Sequence, residues 1–175
     1  ALHFPIAFPE VFLSNSSGFH TIIGNPPWKE LTVEEDLFWA RYFPGLGGMS
    51  QREQERKKEE FRNSRQDLVA QYELEKRDAE ISRKFLVLNY EGMGTGDPDV
   101  YKAFCNRFLK LNGKNFASLG VVLPRSAFSA AGSFNFRKEL LSSYTKSNIT
   151  ILKNKKGWVF EEVTEQYSIV LLSSL

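Results

Sequence analysis

The chain has 175 residues, 42% hydrophobic and 25% charged, a composition typical of a folded globular domain that excludes wholesale disorder. Its formal net charge of +2 is too small to indicate nucleic-acid binding by itself. A single cysteine excludes an internal disulfide, His3 and His20 have no metal-ligand spacing, and no apolar run reaches the roughly 18 residues of a membrane span.

The first predicted region, residues 1–43, is apolar and aromatic. Residues 21–23 are a β-branched run that predicts a buried strand, and residues 24–27 end it in a rigid loop, because proline cannot donate to a β-ladder. The sequence Thr-Val-Glu-Glu from Thr32 resembles a helix capping box. It predicts a helix that continues through Tyr42.

The second region, residues 44–88, is dominated by charge. Residues 50–60 contain good helix formers and no apolar side chain. An apolar stripe at helical spacing follows, formed by Phe61, Leu68, Tyr72, Ala79 and Leu86. One continuous helix of about 40 residues would extend about 60 Å, so we expect an insertion, with a projecting helical hairpin as one arrangement. The segment either contacts partner subunits or is a solvated helix without a role.

The third region, residues 89–175, alternates between helical and strand patterns. Helices are predicted at 99–111 and 135–144, and strands at 117–123, 149–152 and 167–172. This order predicts an α/β fold with a mainly parallel sheet covered on both faces, and an antiparallel pair at one edge. Cys105 lies within the amphipathic helix and is interpreted as a core residue.

The loop formed by Asn25, Pro26, Pro27 and Trp28 is the constellation with the clearest chemical meaning. It is predicted at the carboxyl end of a strand, where open α/β sheets collect ligands. Asn25 Oδ1 and the Pro26 carbonyl can accept both hydrogens of an exocyclic amine while Trp28 stacks on the attached ring. Those bonds localise the lone pair of the amine, so attack on an activated methyl group needs no prior general base. The alternative is a strand-ending turn without chemistry.

Several segments together resemble one enzyme family. GFHTIIGNPPW resembles catalytic motif IV of the methyltransferases that act on adenine N6 in DNA, and FPIAFPEVF is similar to type IIG restriction–modification and phage-exclusion enzymes. GWVFEEVTEQYSIVLL resembles motif VIII with its flanking strands. The resemblance implies the C-terminal part of a Rossmann-like class I methyltransferase sheet with a long helical insertion. It also implies S-adenosylmethionine as co-substrate, double-stranded DNA as partner, and a prokaryotic, cytoplasmic enzyme without a metal or a membrane anchor.

The resemblance also assigns roles to residues. Asn25, Pro26, Pro27 and Trp28 would bind the adenine amine, and Asn25 and Pro27 would form a partial cofactor site. Phe160 matches the motif VIII aromatic that stacks on the opposite face of a flipped base, with Trp158 as its rival and a plain core role as the alternative. A local excess of lysines is interpreted either as phosphate contacts or as a solvated loop: Lys146, Lys153, Lys155 and Lys156.

One part of the family pattern is missing. The glycine-rich cofactor motif and the acidic ribose-binding residue normally precede motif IV, and the residues before Gly18 contain neither. Gly92, Gly94 and Gly96 form a glycine cluster, and they are interpreted as a loop because no buried strand leads into them. We therefore expect a fragment, inactive on its own, without a target-recognition domain. Two alternatives stay open: a glutamine or RNA amine methyltransferase, and a non-catalytic scaffold.

Overall fold

The computed structural model describes residues 2–15, 17–28, 30–93, 98–113, 117–161 and 168–175. They divide into two compact units, one formed by Ala1–Glu30 with Leu86–Leu175 and the other by Leu31–Phe85. The second unit includes residues 31–43, whose apolar composition predicted a common region with the loop at residues 24–28. None of the described helices has the combination of length and apolar character that crossing a membrane requires. Within the same residues, no three metal-ligating side chains cluster.

The described elements alternate between helices and strands. In chain order they are α1 (Phe4–Ala7), α2 (Pro9–Phe12), β1 (Thr21–Gly24), α3 (Glu35–Tyr42), α4 (Gln51–Ser64), α5 (Gln66–Asn89), α6 (Val100–Leu111), β2 (Ser118–Pro124), α7 (Ser126–Ser129), α8 (Phe134–Ser142), β3 (Ser147–Lys153) and β4 (Ser168–Ser174). Short 3₁₀ turns lie at Leu46–Gly48, Ala131–Ser133 and Lys155–Gly157. The chain is therefore mixed α/β, as predicted.

The first unit contains an open four-stranded sheet in the order β1-β2-β4-β3. β1 and β2 are parallel, with Ile22 opposite Leu119, whereas β4 is antiparallel to both of its neighbours. The predicted antiparallel pair at one edge is confirmed. The prediction of a mainly parallel sheet was wrong, because β4 lies between β2 and β3 and is antiparallel to both, so only the β1–β2 pair is parallel. Three strands nevertheless share one direction, so their carboxyl ends lie along one edge of the sheet.

The core of the first unit lies on one face of β2. Alternate residues of this strand are buried and pack against α6 and α8. The cluster of buried residues, which also draws on α7 and β4, consists of Tyr101, Cys105, Leu119, Val121, Leu123, Ala127, Phe136, Leu140, Val170 and Leu172. The prediction that residues 21–23 form a buried strand was wrong, because Ile23 is 83% exposed. Ile23 lies beside Gly120 of β2, on the face of the sheet opposite the buried Leu119 and Val121.

Phe19 anchors the segment that leads into β1. Its ring meets three others at centroid distances of 5.9, 5.7 and 5.4 Å, those of Phe4, Phe8 and Phe12. Its backbone N–H donates to the Leu111 carbonyl at 2.9 Å. Gly18 precedes it with φ of 137°, and a Cβ there would lie 2.6 Å from backbone atoms after α6, so only glycine fits. The aromatic opening of the chain thus fixes where β1 begins.

In the second unit, α3 begins at Glu35 with Glu34 as its N-cap, two residues later than a cap at Thr32 predicts. Glu34 is extended, and Val33 packs on the buried side chains of α3, so residues 32–34 are held outside the helix. A capping box exists at Ser50 instead, whose backbone N–H donates to Glu53 Oε2 at 3.0 Å. The capping-box pattern therefore predicts the helix start correctly at Ser50 and incorrectly at Thr32.

The charged segment forms two helices that separate at Arg65, where φ is −124°. The predicted helicity of residues 50–60 is confirmed, and the segment is not one continuous helix. This segment is not uniformly solvated either. Lys58 is only 4% exposed, with Nζ 2.7 Å from Asp36 Oδ1 and 2.5 Å from Glu55 Oε1. Two exposed carboxylates thus neutralise a lysine whose stem is buried.

Candidate functional site

The loop after β1 leaves the sheet at the edge where the carboxyl ends of β1 and β2 lie together. Pro26 is buried, Asn25 and Pro27 are exposed, and Trp28 is half-buried against the core. A Cβ on Gly24 would lie 3.1 Å from the Phe108 ring, so the strand ends in close contact with α6. The two prolines after Asn25 then carry the chain away from the ladder, as their missing N–H groups require.

Asn25, Pro26, Pro27, Trp28 and Phe160 line one cavity of about 340 Å³. This volume is near the lower end of ligand pockets, roughly 300–1,000 Å³. The first four are brought together by adjacency, whereas Phe160 comes from the segment after β3. Trp158, the alternative aromatic, does not line the cavity and is 65% exposed, with its Nε1–H donated to the Lys153 carbonyl at 2.8 Å.

Trp28 is held in place by the sheet. Its Nε1–H donates to the carbonyl of Val122 in β2 at 3.3 Å. The Phe160 ring meets it with centroids 6.4 Å apart and planes at 88°. Two parallel rings enclosing a flat base would stand about 7–8 Å apart, twice a carbon–carbon contact. In this structure the two aromatics therefore form an edge-to-face pair, and a base between them requires the Phe160 ring to turn.

The polar groups of the cavity are the Asn25 amide, which both donates and accepts, and the Pro26 carbonyl, which accepts. The Asn25 side chain makes no hydrogen bond to any residue of the described ranges, and no N–H of those residues donates to the Pro26 carbonyl. None of the five lining side chains carries an ionisable group. The cavity walls therefore offer hydrogen-bond acceptance and flat apolar surface, and among the described residues they supply no general base.

Asn154 is the residue of this site that sequence reasoning missed. It has no exposed surface, and its Oδ1 accepts the backbone N–H groups of Val159 and Phe160, both at 3.1 Å. Its Nδ2 donates to the Phe160 carbonyl at 3.0 Å. The run Asn-Lys-Lys-Gly indicates a turn, and Lys156 and Gly157 do adopt left-handed φ values of 55° and 68°. No sequence signal, however, marks the asparagine as buried.

The lysines singled out from the sequence lie close to Phe160 along the chain. Lys153 ends β3, and Lys155 and Lys156 belong to the turn that follows. All three are exposed, as is Lys146, and none forms an ion pair with an acidic residue of the described ranges. These lysines are accessible to an anion, but the described residues do not arrange them into a defined anion-binding site.

Two further sequence predictions concern residues away from the cavity. Cys105 is buried in α6 as expected for a core residue, and burial raises the pKa of its thiol to about 12. Gly92 lies in a turn after α5 with φ of 72°, in agreement with a loop. Gly94 and Gly96 lie outside the described residues, as does most of the segment between Phe160 and β4.

No protein-family model matches the chain, and neither a curated protein nor a solved structure matches it. A functional proposal for this protein therefore depends on its own residues and on the cavity they form. The residues that carry the resemblance to motif IV and the aromatic assigned to motif VIII are the ones that share this cavity.

Proposed function

We propose that this chain supplies the base-binding part of a DNA methyltransferase that modifies adenine N6. The observation that supports this proposal is the single cavity shared by Asn25, Pro26, Pro27, Trp28 and Phe160. A flat heteroaromatic ring with an exocyclic amine suits such a cavity, which combines aromatic surface with two unengaged acceptors. We also propose that the fold is the C-terminal part of a Rossmann-like class I methyltransferase, with which the mixed α/β sheet is compatible.

In the proposed reaction, Asn25 Oδ1 and the Pro26 carbonyl each accept one hydrogen of the adenine amine. This draws the nitrogen towards tetrahedral geometry and localises its lone pair for attack on the methyl carbon. S-adenosylmethionine supplies an activated methyl group on a sulfonium, whose sulfur keeps the electrons of the broken bond. The nitrogen then loses one proton to solvent, which is consistent with a cavity whose described walls contain no base.

The described cavity suits the base better than the whole co-substrate. Its five lining residues carry no charge that could pair with the amino-acid end of S-adenosylmethionine. Asn25 and Pro27 would touch only the methyl-bearing end, so the remaining binding contacts must come from other residues. We accordingly expect the 175-residue chain alone to bind S-adenosylmethionine weakly.

The proposed DNA partner draws on two kinds of contact. Extruding a base from a duplex costs a few kcal/mol of stacking, and Trp28 and Phe160 would replace that stacking. Lys153, Lys155 and Lys156 precede Phe160 on an exposed turn, where they would meet phosphates beside the extruded base. We also propose that the protein acts in a prokaryotic, cytoplasmic restriction–modification system. Residues 44–88 would bind partner subunits.

The test uses the natural protein in which this sequence occurs, so that every residue available to bind the co-substrate is present. It is incubated with unmethylated duplex DNA and S-adenosylmethionine labelled in the methyl group, and the digested DNA is analysed for N6-methyladenine. Asn25→Ala should lower kcat by at least about 100-fold, since an acceptor needed mainly in the transition state is lost. Asn15→Ala, an exposed asparagine outside the cavity, is the matched control.

Three results would contradict the proposal. Full methylation by the Asn25→Ala variant would exclude the amine-acceptor mechanism. Label that enters RNA or a glutamine amide and not DNA would transfer the same cavity to a different substrate. Complete absence of methyl transfer by the full-length protein would leave a binding role for the chain.

A further inference from the structure

The loop that carries Phe160 is held by one buried side chain, that of Asn154. Three hydrogen bonds of 3.0–3.1 Å join its amide to the backbone of Val159 and Phe160. We propose that Asn154 is a positioning residue, which fixes Phe160 at the cavity and thereby sets how firmly a flipped base is captured. This inference rests on the proposed function and adds a specific residue to it.

The chemistry of the amide explains why asparagine occupies this position. Two neighbouring N–H groups and one C=O converge on it, so the side chain must accept twice and donate once. A primary amide does both without a charge, with its acceptor and its donor on separate atoms. Aspartate retains the two accepted bonds but, when ionised, cannot donate to the Phe160 carbonyl. Alanine loses all three bonds and leaves the backbone groups to find other partners.

The local backbone shows why such a support is required. The turn Lys155–Gly157 contains two consecutive left-handed residues, Lys156 and Gly157, and the first of them carries a side chain in that unfavourable region. The exposed Trp158 ring adds one bond across this turn, from its indole N–H to the Lys153 carbonyl at 2.8 Å. The Asn154 amide makes the described bonds that reach the backbone of Phe160 itself.

Fixing the backbone also determines how the cavity can admit a base. The Phe160 ring stands at 88° to Trp28, which is not the geometry of a stack. With its backbone held by Asn154, the ring can turn about its two side-chain torsions while the loop keeps its place. Capture of a base then requires a rotation of one ring, and little loop ordering. A loop released from Asn154 would have to be ordered again each time a base binds.

The experiment compares four variants of the full-length protein: Asn154→Ala, Asn154→Asp, Phe160→Ala and the double variant Asn154→Ala/Phe160→Ala. Base extrusion is followed with 2-aminopurine at the mapped target position, and KM for duplex DNA and kcat are measured separately. Asn106→Ala is the matched control, because Asn106 is also a buried amide and does not line the cavity.

Asn154→Ala should weaken extrusion and raise KM for DNA by about 5- to 150-fold, the equivalent of one lost base–aromatic stack. Its kcat should stay within about twofold of the wild type, because the acceptors of the amine are untouched. Asn154→Asp should recover part of the loss. The double variant should extrude the base no worse than Phe160→Ala, since Asn154 acts through Phe160. Additive losses in the double variant, or a matching KM change in Asn106→Ala, would overturn the inference.

A second measurement separates this inference from the proposed function. Amide hydrogen exchange of the unliganded protein should accelerate at Val159 and Phe160 in Asn154→Ala, while Val121 in the central strand keeps its protection. This holds whether or not the protein methylates DNA. Unchanged exchange at both amides would show that Asn154 does not hold the loop. Faster exchange combined with no DNA methylation would instead contradict the proposed function alone.

Discussion

Trp28 makes two interactions that substitution can separate, a hydrogen bond and a flat surface. The indole N–H donates to Val122, and the ring lines the cavity. Trp28→Phe removes the hydrogen bond and keeps a flat ring, whereas Trp28→Ala removes both. If the ring is a stacking platform for a base, these two variants must differ in base extrusion far more than a packing role would predict.

The structure sets the expected magnitudes. The N–H···O distance of 3.3 Å is longer than the usual 2.9–3.0 Å, so the hydrogen bond lost in Trp28→Phe should contribute about 0.5 kcal/mol of unfolding free energy, the low end of its net value. The smaller Phe ring adds a packing loss, because Trp28 packs against the core. Replacing a fully buried Trp by Ala lowers the unfolding free energy by about 3–5 kcal/mol, and Trp28 is only half-buried. About 2 kcal/mol is therefore expected for Trp28→Ala.

Stability and extrusion are measured separately. Urea unfolding followed by circular dichroism gives the unfolding free energies, and 2-aminopurine fluorescence in cognate duplex DNA gives the extrusion equilibrium. Trp28→Ala should weaken extrusion by about 1–3 kcal/mol beyond its effect on folding, and Trp28→Phe should recover most of that loss. Unchanged extrusion in Trp28→Ala would make Trp28 a packing residue. A Phe variant as poor as the Ala variant would assign the effect to the N–H tether.

Two further predictions concern groups outside the cavity. With a thiol pKa of about 12, Cys105 should react with a disulfide reagent at pH 8 about a thousandfold more slowly in the folded chain than in urea; equal rates would show that α6 opens readily. Burial opposes ionisation of Glu35, but hydrogen bonds from Arg62 and Trp39 outweigh it and lower the pKa of this carboxyl below 4.5. Its stabilising contribution should therefore be present above about pH 4.5 and be lost as pH falls through the lowered pKa, so melting temperatures of wild type and Glu35→Gln should converge between about pH 7 and pH 3. A constant difference over that range would exclude this ion pair as the cause.

Features determined by neighbouring residues could be predicted from the sequence. β1 ends at Gly24, just before Asn25 and the two prolines, because proline has no N–H to donate to a ladder whatever surrounds it. The helicity of residues 50–60 likewise follows from the propensity of each residue. The start of α3 could not be predicted in this way. Val33 is drawn into an apolar cluster, and that tertiary contact keeps the apparent capping box at Thr32 extended.

Burial was the property least accessible to sequence patterns. Ile23 belongs to an apolar run yet is largely exposed, because it lies beside Gly120 on the face of the sheet opposite the core. Lys58 belongs to a run without apolar residues yet is buried, because Asp36 and Glu55 reach its ammonium group. In both cases the exposure of the side chain is determined by residues distant in sequence or by residues that helix geometry brings close. Residue type alone therefore gave the wrong environment.

The cavity illustrates how far each kind of reasoning extends. β1 and β3 lie at opposite edges of the sheet, three strand spacings apart, or about 14 Å at 4.7–4.9 Å per spacing. Their loops emerge at the same end because both strands run in the direction of β2. Each must still turn inward to meet the other. Trp28 does so by reaching Val122 on β2, and Phe160 does so because Asn154 folds the chain back after β3. Adjacency predicts the first loop and resemblance predicts the second aromatic, but the support that brings the two within contact is visible only in three dimensions.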